Sequence, residues 1–418
     1  MLELLKDRTY IRYWLAVVAS FLGDAITKIT LIYVVATKTD NPVLYVSLVV
    51  VAQLLPSGVL GAFVGPLADR IPARVLMVGS DLARAVLALL MIVVGDSPLL
   101  LLVLILLSGI GKSFFETARI TAIPLIVRGH SIPTAVALFQ STNHTLNLVG
   151  PAMGGLLLAF GSVSAVFVID AATFVVSALL LSSMTVLREV PMAGVPREPY
   201  WRSLRTGLNG VLATPSLRFL AMVLVPVMLA LGLFTTNLNS QLLTVFRLAP
   251  FDYGLAQAAF GAGSVAGALL GPPLVRRFSD RKLLIWSIVL FGVSLLLLDP
   301  TGRLRDSLGV PVVLVWCLVA GLASGLFQVP VANTLLSDMP EHLRGRGVGL
   351  FNALVVNFTV IGVVLGGITA DLAGIAESIV LTGALLLPAA VLIALAPVGR
   401  TRPAAVDDPA PAESDVTP

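Results

Sequence analysis

The sequence predicts an all-α membrane protein, with twelve transmembrane helices arranged as two pseudo-symmetric six-helix bundles. Three observations carry that expectation. Hydrophobic residues make up 57% of the 418 and charged residues only 12%, for a mean hydropathy of +0.98, whereas a soluble domain carries about 25% charge. Apolar runs of the ~20 residues needed to cross a bilayer recur along the chain. Segments of the first half also reappear in the second.

Taken in order, the apolar runs fall near 10–36, 43–67, 73–94, 98–120, 133–159 and 163–186, then 217–246, 252–275, 281–299, 310–337, 345–371 and 375–397. The N-terminus carries Lys6, Arg8 and Arg12 without a cleavage-site pattern, so it reads as a lead-in to a retained first span. The longest internal polar stretch, 188–216, falls at the middle of the chain. It is expected to link a first bundle (1–187) to a second (217–399). The tail from 400 to 418 is rich in Pro, Ala and Asp and is expected to be disordered. The single cysteine, Cys317, excludes an intrachain disulfide and a cysteine metal cluster.

Charge sets the expected orientation. With an even number of spans both termini share one side, and nineteen Lys and Arg residues fall there, from Lys6 to Arg402. Only Lys38, Arg247, Arg303 and Arg305 fall on the other side, in loops. Basic loops stay cytoplasmic, so both termini are expected inside the cell. The same placement explains the basic pI without nucleic acid.

The internal repeat has two registers. Residues 137–155 (ALFQSTNHTLNLVGPAMGG) align without gaps to 349–367 (GLFNALVVNFTVIGVVLGG) at an offset of 212. Residues 66–74 (PLADRIPAR) fall on 273–281 (PLVRRFSDR) at an offset of 207. A duplicated bundle with a site between its halves is a common transporter architecture.

Residues 65–74 (GPLADRIPAR) lie between the second and third spans. Gly65, Asp69, Arg70 and Arg74 there resemble the loop signature of the major facilitator superfamily, with Pro72 where that family usually has Gly. An acid and bases at a helix mouth can clasp neighbouring helix ends in one conformation only. Gly150, Pro151, Gly154 and Gly155 resemble the same superfamily's antiporter signature. Glycines four apart give a bare backbone stripe, while the proline frees a carbonyl and permits a bend. A matching stripe at Ala259, Gly263, Gly267 and Gly271 makes the eighth span the expected partner of the fifth. Further stretches (SDLARA at 80–85, TAR at 117–119, FVIDAATF at 167–174, RGR at 344–346) are similar to the macrolide-efflux and enterobactin-exporter branch, over residues 8–397. The resemblance implies the major facilitator fold and drug:proton antiport across a bacterial inner membrane. It also implies a monomer that contacts lipid, protons and a small amphipathic substrate, with no cofactor, metal or nucleic acid.

Ionisable groups inside a bilayer are costly, so each needs a partner, a cavity or a task. Nearly all lie in the first half. Asp24 and Lys28 stand one helical turn apart and are expected to pair. Exchange between a proton and the lysine on Asp24 would link protonation to conformation. His144, Glu116 and Asp170 are the other coupling candidates, the alternative for Asp170 being a cap or pair near the outer part of the sixth span. Asp81 with Arg84, and Glu116 with Arg119, read as i,i+3 pairs that, with the loop motif, serve structure or gating. Thr27, Gln140, Asn143, Asn147, Asn237, Gln328 and Asn352 are the expected cavity-lining polar residues.

Export of amphipathic compounds is the leading function. Siderophore or lysophospholipid transport by the same fold is the alternative, and a membrane-embedded transferase stands further back. His130 and His342 lack acidic ligands at regular spacing, and no phosphate-cradling glycine loop is present.

Overall fold

The structure, a computed structural model, describes residues 4–68, 71–95, 97–127, 132–188, 209, 214–338 and 344–395. Most of the expected linker, the tail from 400, Asp69, Arg70, His130 and His342 lie outside the described residues.

Six long helices form the first half: α1 (Arg8–Lys38), α2 (Pro42–Ala68), α3 (Ala73–Val93), α4 (Pro98–Ile126), α5 (Ile132–Phe160) and α6 (Val163–Ser182). The second half has α7 (Pro215–Ser240), α8 (Pro250–Arg277), α9 (Asp280–Leu296), α10 (Leu298–Leu308), α11 (Val310–Asp338), α12 (Arg344–Ala373) and α13 (Ile375–Leu395). Local chemistry sets several starts. The Asp7 carboxylate accepts from the Thr9 amide at 2.7 Å to cap α1. Proline occupies the first turn of α4, α7 and α8, where a missing N–H costs nothing.

The helix α10 was not expected. Residues 298–308 read as a loop because they are polar, but they carry Asp299 in the first turn and Arg305 in the last, and Gly309 at φ 79° ends the helix. The segment bends 53° from α9. Arg305 and Arg303 are therefore helical, and Arg305 donates to the Phe246 carbonyl beyond a five-residue π-turn, Gln241–Val245.

Packing within the halves is matched. Helix α1 packs on α5 and α6, and α7 packs on α12 and α13; α4 packs on α2 and α3, and α11 packs on α8 and α9. Between the halves, α5 packs on α8 and α2 on α12. The two offsets of the repeat meet at these seams. A Cβ added to Gly155 on α5 would lie 2.7 Å from the Pro250 carbonyl oxygen and 2.8 Å from Gly254 Cα on α8. The related positions are Gly367 on α12 and Ser47 on α2, and a Cβ on Gly367 would lie 2.5 Å from Ser47 Oγ. Both contacts lie toward the faces opposite the termini. A continuous apolar core joins the halves there, through Ile32, Val46, Phe234, Leu242 and Tyr253. A second core, around Tyr10, Tyr13, Met77, Phe115 and Leu181, lies within the first half, toward the termini.

These contacts correct the expected stripe pairing. Gly150 and Gly154 face α1, where a Cβ on Gly154 would come 3.0 Å from the Ile26 carbonyl and one on Gly150 would strike Ala25. The α8 stripe does not meet α5. Gly263, Gly267 and Gly271 pack on α11, a Cβ on Gly267 falling 2.6 Å from the Leu326 amide. Gly155, one residue past the stripe, and the Pro151 carbonyl reach α8, each 2.7 Å from where a Cβ on Gly254 would lie. Along a helix, 100° separates neighbours, so Gly154 and Gly155 serve different partners.

Candidate functional site

Three adjoining cavities, of about 80, 400 and 260 Å³, lie at mid-depth. The smallest sits within the first half, bordered by Asp24, Thr27, Lys28, Arg84, Lys112 and Asp170. The largest shares Gln53 with it and adds Ser57, Glu116, Asn143, Asn147 and Thr235. The third lies between the halves, where Lys28, Asn147 and Pro151 face Phe234, Asn239, Gln257, Phe260 and Ser264. Lys28 borders all three.

The hub of the charge cluster is Arg84, 1% exposed on α3. It bonds Asp24 directly across to α1, lies 3.8 Å from Asp81 on its own helix, and donates to Ser20 Oγ at 3.3 Å. Its guanidinium stacks on the Phe174 ring of α6 at 4.1 Å. Ser20 in turn donates to Asp81 at 3.0 Å. Lys112 on α4 reaches the second oxygen of Asp24 at 3.2 Å. The expected Asp24–Lys28 pair is thus replaced: the cations of Asp24 come from α3 and α4. Lys28 is exposed to the cavities and makes no ion pair within 4 Å among the described residues. One helical turn brings Cβ atoms together, but the side chains of an inward-facing helix are drawn to whichever neighbour offers countercharge. Arg84 bridging two acids likewise replaces the simple Asp81–Arg84 pair.

Asp170 is 4% exposed and borders the small cavity, so it belongs to the charge cluster at depth and not to the outer end of α6. Gly23 gives it room, because a Cβ there would strike Asp170 and Thr173. Glu116 and Arg119 form the expected pair at 2.7 Å, with Arg119 over the rings of Phe21 and Phe139. Arg74 is half-buried at the start of α3.

Of the expected cavity residues, Thr27, Asn143 and Asn147 line it. Asn237 does not: it is fully buried and donates to Ser378 Oγ at 2.7 Å, tying α7 to α13. Gln328 is exposed on α11, away from these cavities. The side chains of Gln140, His144 and Asn352, and the surroundings of Gly65, lie outside the described residues. Sequence reasoning passed over Gln53 and Gln257. Each is a lone amide in an apolar run, which is the available signal. Gln257 and Tyr253 both donate to Asn239 Oδ1, at 2.6 and 2.7 Å.

The family description "transmembrane secretion effector" matches residues 2–413. The chain belongs to this family of the major facilitator superfamily. Among the relatives of this chain is the multidrug efflux pump Tap of Mycolicibacterium fortuitum. It is 28% identical over 378 residues, 84% of this chain and 87% of that one. Macrolide efflux protein A of Streptococcus pyogenes is 26% identical over 393 residues, 91% and 93% of the two chains. Among solved structures, a bacterial homologue of the iron transporter ferroportin in an inward-facing state superposes with a TM-score of 0.73 at 14% identity, covering 93% of this chain and 99% of its own. The chain is a multi-pass membrane transporter with the major facilitator fold, and not an enzyme.

Proposed function

We propose that this protein is a secondary active exporter that moves small amphipathic compounds out of a bacterial cell in exchange for protons, by alternating access, as a monomer with both termini in the cytoplasm. The observation that carries the reading is the asymmetry of the central cavity. One wall holds a titratable cluster around Asp24, and the facing wall is neutral and partly aromatic. Such a cavity offers a proton site and an amphipath site side by side. The excess of basic residues on the terminal side supports the orientation. The relatives named as multidrug and macrolide efflux pumps support drugs as cargo.

In this mechanism Asp24 is the exchanging acid. Its two oxygens are held by Arg84 and Lys112 on different helices, so a rocking motion that separates α1 from α3 or α4 removes countercharge and favours a proton instead. Proteoliposomes with an imposed pH gradient provide the test. Wild-type protein is expected to accumulate an amphipathic drug uphill and to move protons when drug is added. Asp24→Asn is expected to lose uphill accumulation while retaining downhill exchange. A well-folded Asp24→Asn protein, or its Lys112→Met double variant, that accumulates drug with unchanged pH dependence would falsify the assignment.

A further inference from the structure

We infer that the central cavity receives an acidic head group, a carboxylate or a phosphate, on Lys28 and Lys112, so that the carried amphipaths are anionic at the head. This deepens the export reading by naming the substrate class.

The argument rests on which charges a ligand can reach. Two carboxylates are withdrawn: Asp81 is 0% and Asp170 4% exposed. Asp24 is 19% exposed at its side chain, with one oxygen on Arg84 and the other on Lys112. Glu116 is 32% exposed at its side chain and borders the large cavity, but its charge is met by Arg119 at 2.7 Å. The lysines stand in front of them. Lys112 is 43% exposed, and Lys28 is exposed and without an ion-pair partner within 4 Å among the described residues. Both border the two cavities that Asp24 borders, and Lys28 also borders the one between the halves. Each exposed carboxylate in the cavities thus already has a cation, whereas Lys28 has no anion among the described residues, and a mid-membrane ammonium without a counterion is costly until an anion arrives.

The rest of the space suits the remainder of such a molecule. Beside Lys28 the cavity between the halves is walled by Ile29, Ile32, Phe234, Leu238 and Phe260, with the amide of Gln257 at its margin. An acidic head at the lysines places an apolar tail against this wall. A cationic head placed there would face Lys28, and the opposite wall offers it no carboxylate, since the second half contributes only neutral groups. An acidic head would also compete with Asp24 for Lys112, tying substrate arrival to the coupling acid.

The test measures binding without any gradient, so it stands or falls separately from export. Wild-type protein in phosphatidylcholine nanodiscs is titrated by calorimetry with octyl phosphate, octanoate and octyltrimethylammonium, which share a tail length. At least one anion is expected to bind about ten-fold tighter than the cation, the worth of one charge-assisted contact. Comparing octyl phosphate with octanoate identifies the preferred head group. Lys28→Gln, which leaves no acid unpaired, is expected to erase the preference, and Lys28→Arg to keep it. Equal or tighter binding of octyltrimethylammonium overturns the inference. So does binding of neither anion, or an anion preference that survives Lys28→Gln in protein that elutes as a single folded species.

Discussion

The two halves share one architecture but stabilise their centres differently. In the first, α1, α3 and α4 are tied by an ionic hub, Arg84 with Asp24, Asp81 and Lys112. In the second, α7 and α13 are tied by an amide–hydroxyl bond, Asn237 to Ser378, and α8 and α11 by bare backbone. The difference teaches where each half can respond. A charge network changes strength when a proton arrives or water enters, whereas amides and glycines do not titrate. Under the proposed coupling, the first half is therefore the one that responds to protons, and the second the one that holds.

Four substitutions, in three experiments, break or sharpen that contrast. The largest effect belongs to Arg84→Met, which leaves Asp24 with Lys112 alone and Asp81 with no cation. Removing one partner of a buried ionic network costs about 3–5 kcal/mol. Little folded protein is expected after detergent extraction, as read by size-exclusion chromatography and thermal unfolding. Wild-type yield and midpoint would mean that the hub contributes no stability.

A smaller effect compares the two seams between the halves. Gly155→Ala sets a methyl against the backbone at Pro250 and Gly254, which cannot rotate away, for a cost of about 1–3 kcal/mol or a block in transport. Gly367→Ala meets a serine hydroxyl that can turn aside, at a cost of about 1 kcal/mol or less. Transport rates and unfolding midpoints of the two variants should differ in that order. Equal losses would show the seams to be interchangeable.

The smallest effect is expected for Asn237→Ala. It breaks a neutral bond whose partner, Ser378, keeps its hydrogen bond with Thr369 at 2.6 Å. About 1 kcal/mol of stability should go, with transport intact. A loss of transport out of proportion to stability would return Asn237 to the substrate site, where the sequence reading had put it.

Much of this was legible without coordinates. Apolar runs longer than a bilayer is thick can hardly become anything but spanning helices, and the two repeat offsets reappear at the paired seams. Pairings between helices were harder to read. Asp24 is one turn from Lys28 in sequence, yet it bonds Arg84, 60 residues away, because countercharge at a bundle centre is set by facing helices. The α8 stripe was recognised, but its partner was not, since a bare stripe marks a close approach without naming the neighbour. Gln53 and Gln257 carried a signal as lone amides in apolar runs, but a single sequence does not tell which polar side chain of a span faces a cavity. Helix α10 was hidden because an eleven-residue amphipathic turn looks like a polar loop.

The glycine seam between α8 and α11 has a bearing on how this transporter can change over generations. An added Cβ on Gly321 would lie 2.8 Å from the Phe260 carbonyl carbon, and one on Gly325 would lie 2.7 Å from that of Ser264. The seam is main chain on main chain, so it constrains almost nothing about the side chains of Phe260 and Ser264, which border the cavity. Mutations at Ser264 can reshape the pocket without loosening that seam, whereas Phe260 also packs its ring on Phe234 at 5.8 Å. A lineage exposed to new toxic compounds could thus explore pocket variants one residue at a time, with no compensating repair elsewhere, and the glycines would be the positions where drift is least forgiven.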